Sequence, residues 1–197
     1  MKEATRTYRM SSRARGVEET RERLLAAAID LHTERLSSDI SLADIAAAAG
    51  VSVQTLLRHF GTREALVEAA LERAAREVEE ERHAEPGDVA GAVRAVVEHY
   101  ERRGDGVLLL LAQERAGSFA ARVTAHGRAV HRRWVREVFG PLLPPADPAR
   151  DEVLDLLVVA TDVYTWKLLR RDRGLSVHRT RARTEALVRA VLTVHPG

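Results

Sequence analysis

A chain of 197 residues that is 45% apolar has the length and apolar content for one ordinary domain or two small ones, which excludes disorder throughout. Its 31 Lys and Arg nearly balance its 29 Asp and Glu, so the distribution of charge informs more than the total. It contains no cysteine, which excludes disulfides, thiolate zinc sites, iron–sulfur clusters and a cysteine nucleophile and fits a reducing, cytoplasmic setting; no metal and no cofactor is expected.

Residues 1–16 carry Lys2, Arg6, Arg9, Arg13 and Arg15 against Glu3, a net charge of +4. Without apolar periodicity, residues 1–17 read as a flexible basic arm, suited either to a phosphate backbone or minor groove or simply to water. The basic start leads into Val17-Glu18-Glu19 instead of an apolar stretch, so no signal peptide is expected. Apolar runs such as 107–112 and 156–160 are too short for a membrane span. Ala, Leu, Arg and Glu dominate the rest, all strong helix formers, and no segment alternates with period two, so the fold class is all-α.

A first helix is predicted over 18–35, with Leu24, Ala27, Ala28 and Leu31 at the spacing of one buried face. Two short helices follow over 42–48 and 53–59. A fourth, over 63–83, is stopped by Glu85-Pro86-Gly87 near a domain boundary. Further helices are predicted over 88–103, 105–116, 118–139, 148–172 and 177–194. Asp147 reads as a cap before Pro148 at the first helical position, and Gly174 as a stop before the new cap Ser176. The expected organisation is the arm 1–17, a three-helix domain over 18–78 and a helical domain over 79–197.

The most informative segment is 41–60. Ser41 and Asp44 have the spacing of a capping box, which opens a short helix. Ala46 is small where a second helix must cross closely. Gly50 can take the left-handed conformation that ends a helix and turns the chain, and Ser52 then caps the next one. Leu42, Ile45, Ala49, Val51 and Leu56 fill the small core between the two helices, which leaves Gln54, Thr55, Arg58 and His59 facing outward. These are the mechanics of a helix-turn-helix, although two short helices around a glycine also occur in proteins that never meet DNA.

The unit is preceded by an amphipathic helix and a basic arm and followed by His59-Phe60-Gly61-Thr62-Arg63-Glu64-Ala65-Leu66. With Asp44-Ile45-Ala46, Ala49-Gly50-Val51-Ser52 and Thr55-Leu56, this resembles the N-terminal domain of the TetR family of transcriptional regulators over residues 18–78. The resemblance implies a dimeric, DNA-binding repressor that binds a double-stranded operator and is released by a small-molecule effector. Residues 53–59 would enter a major groove, and Ser41, Ser52, Gln54, Thr55, Arg58, His59 and Arg63 would form the DNA-binding set. The helical C-terminal domain would supply effector pocket and dimer surface. One departure concerns DNA directly: Leu57 stands where the family usually has a phosphate-contacting Tyr, and leucine has no hydrogen-bonding group. Arg63 replaces the family's frequent Lys and keeps the charge.

Dimerisation also follows from the helix predicted over 148–172. It is apolar nearly all round and must bury two faces; one can pack on its own core and the other on a partner, the alternative being the central helix of a monomer. Val158, Leu187, Ala190 and Val191 are the interface candidates. For the pocket, His99, Tyr100, Gln113, Trp134, Tyr164 and Thr165 are aromatic or polar residues within apolar helical stretches. Two other functions compete. A helical enzyme could use Asp155, Asp162, His99 or His131 if these converged, but no catalytic residue is assigned and no enzyme is expected. An interaction module could dock an acidic partner through the basic stretch 166–189, of net charge +6 with His neutral.

Overall fold

The computed structural model describes residues 2–36, 39–115, 119–145 and 148–194; the side chains of 2–14 and of 148–149 lie outside the description. The described residues form helices and turns only: α1 Lys2–Glu34, α2 Leu42–Ala48, α3 Val53–Phe60, α4 Arg63–Glu81, α5 Val89–Ala112, α6 Phe119–Phe139, α7 Pro148–Ala160, α8 Val163–Lys167 and α9 Val177–Val194. A short 3-10 turn, Gly140–Leu142, follows α6, and a π turn, Leu168–Asp172, follows α8. The chain divides into two compact units, Met1–Ala74 and Ala75–Gly197, a few residues before the boundary expected from the sequence. No helix among the described residues is long and apolar enough to cross a membrane.

Three elements differ from expectation. Helix α1 continues back to Lys2 and takes in the basic arm instead of starting near 18. The arm holds Lys, Glu, Ala, Arg and Met, which favour helix, and its only strong breaker is Gly16. Helix α5 is continuous across Gly104, where the sequence predicts a gap between two helices. A Cβ at Gly104 would lie 2.5 Å from the Trp166 indole, so this glycine serves close packing. The helix expected over 148–172 breaks after Ala160. Thr161 Oγ1 donates to the Leu157 carbonyl at 2.7 Å, and Asp162, in extended conformation, accepts from the Tyr164 N–H at 2.8 Å and so caps α8. The expected cap Asp147 lies outside the described residues.

The first unit has an aliphatic core: Leu24, Leu25 and Leu31 of α1, Ile45 and Ala46 of α2, Leu56 of α3 and Leu66 of α4. Polar ties fix its frame. Arg73 of α4 donates to the Glu22 carbonyl and carboxylate at 2.6 and 2.7 Å, and Arg63 donates to the Ile40 carbonyl at 3.0 Å. In the second unit α5 is central, packed against α6, α8 and α9, while α7 packs against α6 and α9. Its core mixes valines and leucines with Tyr100, Trp134, Phe139 and Trp166.

Candidate functional site

The turn between α2 and α3 is built by local chemistry. Asp44 N–H donates to Ser41 Oγ at 3.2 Å while Ser41 N–H donates to Asp44 Oδ2 at 2.8 Å, so the expected capping box is closed. Gly50, at φ +69°, ends α2, with Val51 N–H on the Ala46 carbonyl at 2.9 Å and Gly50 N–H on Ala47 at 3.1 Å. That pairing satisfies carbonyls that a helix end would otherwise leave open. Ser52 Oγ then accepts from Thr55 N–H at 3.1 Å and opens α3.

On α3, Leu56 is fully buried and pins the helix to the unit's core. The opposite face carries Gln54, Leu57 and Arg58, all exposed and separated by three and four residues, the spacing of neighbours on one helix surface. Thr55 is half-buried, and its hydroxyl lies 3.0 Å from Ser52 Oγ, so both belong to the cap. His59 is half-buried beside Phe60. Arg63 is exposed at the start of α4 with one guanidinium nitrogen on Ile40. Leu57, 39% exposed, is the apolar member of an otherwise polar face.

Several polar groups of the second unit lie inside. His99, 2% exposed, pairs its Nδ1 with Glu81 Oε2 at 2.7 Å, and Arg103 grips the same carboxylate at 2.8 to 3.1 Å. Burial works against the Glu81 anion, but the bonds from Arg103 and His99 outweigh it and bring the carboxyl down to about 2. Burial and the nearby Arg82 cation lower His99 to about 3 and do the same to His131. Tyr100 donates to the Thr161 carbonyl at 3.2 Å, and Trp134 donates to the Arg82 carbonyl at 2.8 Å. The other pocket candidates lie apart from these bonds: Gln113 donates to the Leu109 carbonyl, Tyr164 is exposed, and Thr165 donates to the Val159 carbonyl.

Arg82 and Thr161, which no sequence motif marks, both bond to His131 from far away in the chain. The residues proposed for an enzyme are engaged separately: Asp155 with Arg132 at the surface, Asp162 in the α8 cap, His99 with Glu81, and His131 with Arg82 and Thr161. The basic stretch 166–189 is largely a set of internal ion pairs. Lys167 bonds Asp172, Arg170 bonds Glu101, Arg171 bonds Asp105, Arg181 bonds Glu98 and Arg189 bonds Glu185. Of the dimer candidates, Leu187 and Ala190 are exposed, whereas Val158 and Val191 pack partly against the unit's own core.

Residues 24–70 match the family model described as bacterial regulatory proteins, tetR family. No curated protein matches the chain by sequence. Among solved structures, a tetR-family transcriptional regulator from Streptomyces coelicolor aligns with a TM-score of 0.67 at 22% identity, over 91% of this chain and 90% of that one. A TetR transcriptional regulator from Streptococcus agalactiae 2603V aligns at 0.62 and 18% identity, over 91% and 98%. A transcriptional regulator from Rhodococcus sp. Rha1 gives 0.65 and 18%, over 89% and 97%. At these identities the structural likeness speaks to fold, and it extends along nearly the whole chain. The matched residues 24–70 contain the helix-turn-helix closed by Ser41, Gly50 and Ser52, so this domain is similar to that of the tetR-family bacterial regulatory proteins.

Proposed function

We propose that the protein is a homodimeric repressor that reads a double-stranded operator with α3 and leaves it when the second unit binds a small-molecule effector. The observation that carries the reading is the exposed face of Gln54, Leu57 and Arg58 on a helix anchored from behind by Leu56. Gln pairs with adenine through two hydrogen bonds, Arg with guanine or phosphate, and the major groove offers leucine the thymine methyl. Ser41, Ser52 and Thr55 hold the turn that presents this face, and His59 and Arg63 flank it. The basic arm adds phosphate contacts, and acting on chromosomal DNA places the protein in the cytoplasm.

The dimer surface combines exposed Leu156 and Val159 of α7 with Leu187 and Ala190 of α9, two helices that pack together. Selection from random duplex DNA tests the reading. The expected product is a pair of inverted half-sites about one helical turn or a multiple apart. Recovery of DNA with no sequence preference would overturn it. A Val159→Arg/Leu187→Arg protein is expected to be monomeric by light scattering. Removing residues 1–15 is expected to make the salt dependence of binding shallower, by about 0.9 in log–log slope per lost phosphate contact, with the preferred sequence unchanged.

A further inference from the structure

The interior of the second unit contains a cation without a counter-charge. Arg82 is 6% exposed and its guanidinium forms no ion pair among the described residues. It shares a hydrogen bond of 3.1 Å with His131 Nδ1 and lies 5.0 Å from the centre of the Tyr100 ring and 6.0 Å from that of Trp134. Its Nε is buried and has no acceptor.

The bond directions are fixed by what each group can do. Arginine has no lone pair to offer, so Arg82 Nη1 donates, His131 Nδ1 accepts, and the ring proton sits on Nε2. His131 Nε2 donates in turn to Thr161 Oγ1 at 3.2 Å and the Val158 carbonyl at 3.3 Å. The Thr161 hydroxyl donates to the Leu157 carbonyl at 2.7 Å. Beyond Arg82 every step runs from neutral group to neutral group and ends on main chain, so the charge of Arg82 meets no anion along it. Carboxylates on the surrounding elements are engaged elsewhere: Glu81 with His99 and Arg103, Glu101 with Trp166 and Arg170, Asp162 in the α8 cap.

Most buried ionisable groups escape an unpaired charge by changing protonation, but arginine cannot. We propose that Arg82 anchors an anionic effector, an organic monocarboxylate, whose oxygens accept from Arg82 while its apolar body lies against Tyr100 and Trp134. The inference rests on the effector-responsive reading above and names the class of molecule it requires. One guanidinium fork answers one carboxylate. A phosphate dianion would bring a second charge, and the two histidines beside Arg82 are neutral. The rings supply the apolar surface that small-molecule sites use for the rest of a ligand.

Trp134 and Trp166 are the chain's two tryptophans, so tryptophan emission reports on this interior. The full chain at pH 7 is titrated with benzoate, phenylacetate, hexanoate and octanoate, and with the amide of each. At least one acid is expected to change the emission saturably and raise the melting temperature, with its amide binding about tenfold more weakly or worse. Arg82→Met is expected to weaken the acid by about tenfold to a hundredfold without lowering the melting temperature of the ligand-free protein. If Arg82→Met does not fold, Arg82→Lys, which keeps the charge but not the fork, is expected to weaken it by about tenfold. Failure of every acid to bind, equal binding of acid and amide, or wild-type affinity in the folded variant would overturn the proposal. The two readings fail separately. An acid that binds through Arg82 without releasing DNA upholds the anion site and overturns the effector reading. A neutral compound that releases DNA from wild type and variant alike upholds the effector reading and overturns the carboxylate.

Discussion

The two units of this protein place their polar chemistry on opposite sides of their cores. In the first, the interior is aliphatic apart from His32, whose ring lies on the Ala28 carbonyl of its own helix, and the groups that can make specific hydrogen bonds to DNA, Gln54 and Arg58, stand outside on α3. In the second, Arg82, His99, His131, Thr161, Thr180 and Thr184 are all buried, while many surface charges neutralise one another in ion pairs. A duplex is too large to enter a protein, so its reader is a surface held rigid from behind. A small molecule is recognised by being enclosed, so polar groups that serve it lie within.

The contrast can be broken most sharply with pH. His99 and His131 are held neutral, with folded pKa values near 3 against an ordinary 6.5. Below about 6.5 the unfolded chain therefore binds up to two more protons than the folded one, so stability falls as pH drops from there toward 3. The expected slope is about 2–3 kcal/mol per pH unit around pH 5, read from urea unfolding of the second unit. His99→Gln and His131→Gln should each remove about half of it; an unchanged slope in both would mean that these rings are not buried as neutral groups. A smaller effect is expected from neighbouring residues of α3. Leu56→Ala should lower the stability of the first unit by about 2–5 kcal/mol, whereas Leu57→Ala should change it by no more than about 0.5 kcal/mol. Similar losses at both positions in thermal unfolding would erase the distinction between the helix's two faces.

Next in size is readout. Gln54→Ala should relax preference at one base position by about 1–3 kcal/mol, while Arg63→Ala weakens all sequences alike, as phosphate contacts do. Competition assays with single-base variants of the selected site would show the reverse if the roles were exchanged. The smallest effect belongs to the cap. Ser41→Ala should cost about 1 kcal/mol of stability and leave sequence preference unchanged, so a shifted preference would mean that Ser41 itself reads DNA.

The α2–turn–α3 segment was legible because each device acts within a few residues: Ser41 on Asp44, Gly50 on its own φ, Ser52 on Thr55. Leu57 could be flagged for the same reason, as an apolar departure inside a dense pattern. The second unit was legible only as helical. The residues that join Arg82 lie far along the chain, His131 on α6 and Thr161 after α7, and no spacing rule links them. Asp162 looked like a candidate acid because the apolar pattern ran on through it, and only the backbone reveals a cap. The arm lacks the apolar periodicity that marks a packed helix, yet its residues individually favour the helix that reaches Lys2.

Gly104 carries a consequence for how this sequence can change. Its missing side chain is the space occupied by the Trp166 indole, itself 2% exposed and rigid. Any larger residue at 104 therefore has to wait until 166 has shrunk. The indole in turn donates to Glu101 at 2.8 Å and lies under the Arg171 guanidinium at 4.5 Å. Drift at 104 alone is thus closed, and positions 101, 104, 166 and 171 are expected to vary as one block among this protein's descendants, in the order that begins with the tryptophan.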